Sequence, residues 1–92
     1  MVEHVHMIGI GGAGMSTIAI VLLEMGHEVS GSDLNNSLIL NSLNERGAKV
    51  YVGHSAEQVA GADLVVYSSA IPDDNSEILA AKKQNIPVLH RS

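Results

Sequence analysis

Gly9, Gly11 and Gly14 stand at the G-x-G-x-x-G spacing inside the run His6-Met7-Ile8-Gly9-Ile10-Gly11-Gly12-Ala13-Gly14-Met15-Ser16. That spacing suits a phosphate or diphosphate. One glycine lets the chain reverse, one lets an anion approach bare backbone, and one lets a helix pack close to a strand. The unpaired N–H groups at the start of the following helix, with the positive end of its dipole, complete an anion site. Glycine-rich turns also arise for purely steric reasons. What favours binding is the placement of this turn, between the apolar residues Val5, Met7 and Ile8 and the glycine-free, mostly apolar segment Ile18 to Met25.

Asp33 follows Gly14 by 19 residues. An acid there accepts from a ribose 2′-hydroxyl in dinucleotide folds. In another nucleotide fold it accepts from a base N–H, and in neither it is a turn or cap residue. Ser68-Ser69-Ala70 follows an apolar run and offers hydroxyls and N–H groups to the same ligand, although turn chemistry before Pro72 accounts for it equally well. His54, in Gly53-His54-Ser55, is placed to stack on a base or donate to a phosphate, or is an ordinary loop histidine. His4 and His6 share a strand face, but no carboxylate or third histidine is placed to complete a metal site. Met7, Met15 and Met25 read as packing residues, and His27 and His90 as element ends. There is no nucleophile with its base, no paired carboxylates in the expected cleft and no G-x-x-x-x-G-K-[ST]. The sequence reads as a binding domain that lacks a catalytic set.

Composition narrows the partners. The 92 residues carry a net charge of -5. The five basic side chains, Arg46, Lys49, Lys82, Lys83 and Arg91, form no stripe, which argues against nucleic acid. None lies near the glycine turn in sequence, so an anion there is expected to rest on backbone N–H groups and hydroxyls. Tyr51 and Tyr67 are the only aromatic residues and there is no cysteine. The core is therefore aliphatic, and neither a disulfide framework nor thiolate chemistry is available. No basic region precedes a long apolar stretch, and the longest apolar block, Ile18 to Leu23, is too short to span a bilayer. A cytoplasmic location, without a membrane partner, fits these features.

Strand and helix signals alternate along the chain. Strands are expected over Val5–Ile8, His27–Gly31 ending at Ser32-Asp33, Ala48–Val52, Ala62–Tyr67 and Pro87–His90. The first helix is expected over Ala13–Met25, stopped by Gly26. A second is capped within Asn35-Asn36-Ser37, buries Leu40 and Leu43 and ends before Gly47. Ser55–Val59 suggests a short helical turn. Asp74 with Glu77 resembles a capping box for a third helix reaching about Gln84. These signals predict an α/β, Rossmann-like fold: a five-stranded parallel sheet of order 3-2-1-4-5, with right-handed crossovers and helices on both faces. Residues 1–92 read as a single domain cut from a longer chain. At the carboxyl ends of the strands, residues 9–16, 32–36 and 68–75 converge.

The glycine run with Met15-Ser16 strongly resembles the opening motif of the Mur ligases, and among them the group that joins L-alanine to UDP-N-acetylmuramate. Val29-Ser30-Gly31-Ser32-Asp33, Gly47-Ala48 with Gly53-His54, Val65-Val66-Tyr67-Ser68-Ser69-Ala70-Ile71, and Ile86-Pro87-Val88 with Arg91 resemble later family segments in the same order. The tripeptide-adding relative usually departs from this pattern inside the glycine run. The family commonly has proline after the asparagine near position 75, where this chain has Ser76.

The resemblance implies a three-domain cytoplasmic ligase whose first domain binds the UDP part of UDP-N-acetylmuramate. A central P-loop domain would bind ATP and Mg2+, and a C-terminal domain would help bind the amino acid. ATP would phosphorylate the muramate carboxylate, and the alanine amine would attack the acyl phosphate. This chain matches only the first domain, so no cofactor is expected on it. By position, Gly11, Gly12, Ala13, Gly14, Met15 and Ser16 would hold the diphosphate. Asp33 and His54 would lie near the uridine, and Ser68, Ser69, Ala70 and Ile71 would line the sugar–phosphate side. On Gly9, Gly11, Gly14 and Asp33 alone, an NAD-binding domain of a dehydrogenase is the natural reading, with a nucleotide-sensing regulatory domain as another user of the fold.

Overall fold

The computed structural model describes residues 3–91. Strand β1 (His4–Ile8) leads into helix α1 (Ala13–Glu24), then β2 (Glu28–Asp33), α2 (Leu38–Glu45), β3 (Lys49–Val52), a 3-10 turn (Ala56–Val59), β4 (Leu64–Ser68), α3 (Ser76–Lys83) and β5 (Val88–Arg91). The five strands form one sheet in the order β3-β2-β1-β4-β5. Every neighbouring pair is parallel, with Ile8 opposite Ser32 on β2 and Tyr67 on β4, and Ser68 opposite Arg91. This is the expected topology, and it places the reversal of strand order at β1 and β4, beside the glycine turn.

Alternation along β1 sorts two cores. Val5 and Met7 join Val29 and Val66 against Met15 and Ala19 of α1 and Leu40 and Leu43 of α2. Ile8 and Val65 pack on the opposite face against Val59, Ala62, and Ile78 and Ala81 of α3. Helices therefore cover both faces, as the crossovers require. Gly31, in the middle of β2, has its own steric reason. A Cβ there would stand 2.7 Å from both Ile10 Cβ and the Met7 carbonyl oxygen, so the bare backbone lets Ile10 pack beneath the sheet.

The local signals hold with small shifts. Ser37 caps α2 by accepting the Leu40 N–H, and Gly26 and Gly47 follow α1 and α2 at φ +90 and +108. The capping box expected of Asp74 and Glu77 does not form. Asn75 is the cap, its side chain accepting the Glu77 N–H at 2.8 Å, and this frees the Glu77 carboxylate to point into the core. Met25 is not a packing residue: it is 66% exposed at the end of α1, whereas Met7 and Met15 are buried.

Candidate nucleotide-binding site

Most N–H groups of the β1–α1 turn are already engaged. The Ser32 carbonyl accepts from Gly9 N–H at 2.8 Å and Ile10 N–H at 3.1 Å, which ties the turn to the end of β2. Asp33 Oδ2 accepts the Gly11 N–H at 2.9 Å. Gly9 O accepts from Gly12 N–H, and Gly12 O from Ser16 N–H. Gly12 caps α1 in an extended conformation without a side-chain bond. The N–H groups of Ala13, Gly14 and Met15 are therefore left without a partner among the described residues. These three donors sit at the positive end of the α1 dipole, where an anion is stabilised. Ser16 contributes less than its type suggests. Its N–H is spent on Gly12, and its hydroxyl donates to Ala13 O at 3.0 Å.

Of the four glycines in the run, the three of the spacing are pressed against other elements. A Cβ on Gly9, whose φ is +84, would lie 2.8 Å from Ser68 Oγ, and one on Gly11 would lie 2.8 Å from Asp33 Oδ2. On Gly14 it would collide with the Arg91 guanidinium. Gly12 is open by comparison, its nearest neighbour being the Gly9 carbonyl oxygen at 3.4 Å. The Arg91 contact corrects one expectation. A cation does reach the glycine turn, because parallel pairing brings the end of β5 level with Ser68. The sequence signal was available in the strand order, but Arg91 lies 77 residues from Gly14 in sequence.

Asp33 is half-buried. One carboxylate oxygen holds Gly11, and the other receives the Asn35 N–H at a long 3.4 Å. Ser68 touches the turn at Gly9, Ser69 and Ala70 are exposed on the rim, and Ile71 packs partly into the α3-side core. His90, expected to be an element end, stacks on Tyr67 with ring centroids 4.8 Å apart.

His54 belongs to a polar network centred on Glu77, which is fully buried. Glu77 Oε1 accepts from His6 Nε2 at 2.5 Å and from the Ser32 hydroxyl at 2.9 Å. Glu77 Oε2 accepts from the Ser55 N–H at 3.0 Å and from Gln58 Nε2 at 2.8 Å. His54 Nδ1 lies 2.8 Å from Ser32 Oγ and 3.4 Å from Glu77 Oε2. Burial alone would push the Glu77 carboxyl up. The hydrogen bond and charge attraction of His6, with the Ser55 N–H and the Ser32 hydroxyl, outweigh it and hold the carboxyl below the usual carboxylate range. His6 and His4 both contact Ser30 Oγ at 2.7 Å. They share a face as expected. The carboxylate that seemed missing beside His6 is Glu77, which arrives from 71 residues away. Among the described residues no group of three or more His, Cys, Asp or Glu side chains could hold a metal ion.

A concavity of about 580 Å³ lies elsewhere, at the amino ends of β1 to β3 between His4, Ser30, Lys49, Tyr51 and Gln58. Ligands of open parallel sheets bind at the opposite ends of the strands. The glycine turn, with donors that have no partner among the described residues, is the better-founded candidate.

A parallel sheet in the order β3-β2-β1-β4-β5, with a glycine turn after β1 that an arginine of β5 reaches, defines a Rossmann-like α/β domain. The comparisons name the family: the description "Mur ligase family, catalytic domain" matches residues 4–92, and the chain belongs to that family. It is 57% identical over 90 residues to a UDP-N-acetylmuramate–L-alanine ligase of Pelodictyon phaeoclathratiforme, a match covering 97% of this chain and 19% of the relative. A crystal structure of the Thermotoga maritima UDP-N-acetylmuramate–alanine ligase superposes with a TM-score of 0.92 at 35% identity, over 97% of this chain and 21% of that one. The UDP-N-acetylmuramate:L-alanyl-γ-D-glutamyl-meso-diaminopimelate ligase of Neisseria meningitides gives a TM-score of 0.88 at 30% identity, over 98% of this chain and 29% of that one. The chain thus spans about a fifth of the length of the alanine ligases it matches. Among the described residues, no helix is long and apolar enough to cross a membrane.

Proposed function

We propose that this chain holds the uridine diphosphate end of UDP-N-acetylmuramate, as the first domain of a cytoplasmic, ATP-dependent ligase that adds L-alanine during peptidoglycan biosynthesis. The observation that carries the reading is the set of three unpaired N–H groups, on Ala13, Gly14 and Met15, in a chain of this family. They would receive the diphosphate, with the Arg91 guanidinium closing over it from β5. Asp33 and His54, on the β2 side, would meet the uridine. Ser68, Ser69, Ala70 and Ile71 would line the path toward the sugar. ATP, Mg2+ and L-alanine would bind on the central and C-terminal domains of the longer protein, whose chemistry is phosphorylation of the muramate carboxylate and attack on it by the alanine amine.

Calorimetric titration of the chain with UDP-N-acetylmuramate and, separately, with NADH tests this. Saturable binding of the uridine compound alone is expected. Saturable NADH binding with no response to UDP-N-acetylmuramate would overturn the reading in favour of a dehydrogenase cofactor site.

A further inference from the structure

The buried carboxylate of Glu77 is stationed where the hydrogens of its neighbours are decided. An ionised carboxylate has no hydrogen to give, so the Ser32 hydroxyl donates to Glu77 Oε1. A hydroxyl has one hydrogen, and Ser32 has now used it. Ser32 Oγ therefore meets His54 as an acceptor, and the proton between them sits on His54 Nδ1. Glu77 Oε2, on the same side of the ring, demands the same arrangement. In the neutral imidazole the lone pair is then at Nε2. That nitrogen has no partner among the described residues, yet among them no buried side-chain nitrogen or oxygen lacks one. Nε2 is thus reached by solvent, on a side chain 11% exposed that follows the carboxyl end of β3. Every other group around the carboxylate is also a donor aimed at it: His6 from β1, the Ser55 N–H beside His54, and Gln58 from the 3-10 turn.

We propose that Glu77, acting through Ser32, is a positioning residue that holds His54 as the Nδ1-protonated tautomer, so that Nε2 accepts a hydrogen bond from an N–H or O–H donor of the bound uridine. The ligand half of this inference rests on the uridine reading above; the tautomer half does not. Uridine carries such donors in two places, the imide N–H of the base and the ribose hydroxyls. A fixed acceptor on the rim favours uracil over cytosine where the base is the donor, because cytosine presents a lone pair at that ring position.

Long-range proton–nitrogen NMR correlation on the 15N-labelled 92-residue chain reads the tautomer directly. His54 protonated at Nδ1 is expected in the free parent chain, with a tautomer mixture in Glu77→Gln and Ser32→Ala. A parent His54 protonated at Nε2, or an unchanged tautomer in both variants, overturns the proposal. Where a variant loses the dispersed spectrum of a folded chain, the parent spectrum decides.

Binding then separates the ligand contact from mere packing. His54→Asn keeps a donor near the Nδ1 position and offers nothing at Nε2, whereas His54→Gln restores an acceptor near Nε2. The Asn variant should bind UDP about 5- to 10-fold more weakly, and the Gln variant should recover part of that loss. Full affinity in His54→Asn overturns the contact. If the base is the donor, CDP binds the parent as weakly as UDP binds His54→Asn; if the ribose is the donor, 2′- or 3′-deoxy-UDP does so. A parent chain that binds no uridine nucleotide overturns the uridine reading and the ligand contact together, and leaves the tautomer to stand or fall on its own spectrum.

Discussion

At the scale of single residues, Gly12 separates folding from binding. It caps α1 in an extended conformation and has more room for a Cβ than Gly9, Gly11 or Gly14. Aspartate is a preferred cap residue and its charge suits the helix dipole, so Gly12→Asp should be neutral or stabilising by about 0.3–1 kcal/mol. The same carboxylate would occupy the N–H groups that an anion needs. We therefore expect a melting temperature equal to or above that of the parent, with UDP binding lost in calorimetry. A destabilised but binding-competent variant would contradict both halves. Arg91 gives the complementary case. Arg91→Met removes a charge-assisted contact at an exposed position, and should weaken UDP binding about tenfold. It should leave binding of uridine without phosphates unchanged, which a side-by-side titration would reveal. The glycine spacing was legible in the sequence because it is local, and Asp33 and Ser68 because each ends a strand that the expected order sets beside β1. Arg91 was missed because it stands two strands from the turn, and only the reach of its long side chain past the end of β4 brings it to Gly14.

At the scale of elements, strand order and helix limits were readable from alternation, caps and glycine stops. What α3 does beyond packing was hidden. Glu77 lies one residue inside the helix, where a carboxylate normally serves a cap. Asn75 takes that task, and Glu77 instead ties α3 to β1, β2 and the loop after β3. Nothing local distinguishes these two uses of a first-turn glutamate; the decision depends on four donors, two from the strands β1 and β2 and two from the loop and 3-10 turn after β3. Removing the carboxylate leaves the buried His6 Nε2 and Ser32 hydroxyl, and the Ser55 N–H, without their acceptor. Glu77→Ala should cost about 3–5 kcal/mol, as breaking one side of a buried pair does. Chemical denaturation would show it as a lower midpoint with an unchanged slope. Gly31→Ala tests a different element: overpacking against Ile10 and the Met7 carbonyl should cost about 1–3 kcal/mol in the same measurement.

At the scale of the whole molecule, a domain this small has roughly 5–15 kcal/mol in hand, so the Glu77 tie is a large share of it. Its pH dependence follows from sign. The folded carboxyl is held below its ordinary value of 4.5, so its contribution is full above that value and is lost as pH falls through the folded one. Thermal melts on the acid side of pH 4.5 should thus fall more steeply for the parent than for Glu77→Gln. Activity belongs to this scale too. Phosphoryl transfer is catalysed by positioning and by charge on the transferring group, which requires bound ATP and a metal. This chain has no G-x-x-x-x-G-K-[ST] and, among the described residues, no cluster fit for a metal. We expect the 92-residue chain to bind UDP-N-acetylmuramate but neither to hydrolyse ATP nor to join alanine to it, and the longer protein to do both. In that protein, Asp33→Ala should raise KM for the uridine substrate about 10- to 150-fold, the worth of one hydrogen bond to a charged acceptor, with kcat little changed. On the proposed reading, the uridine contacts would lie far from the reacting carboxylate and be nearly equal in ground and transition states. A fall in kcat at constant KM would instead place Asp33 in domain closure, through the N–H of Gly11 that it holds.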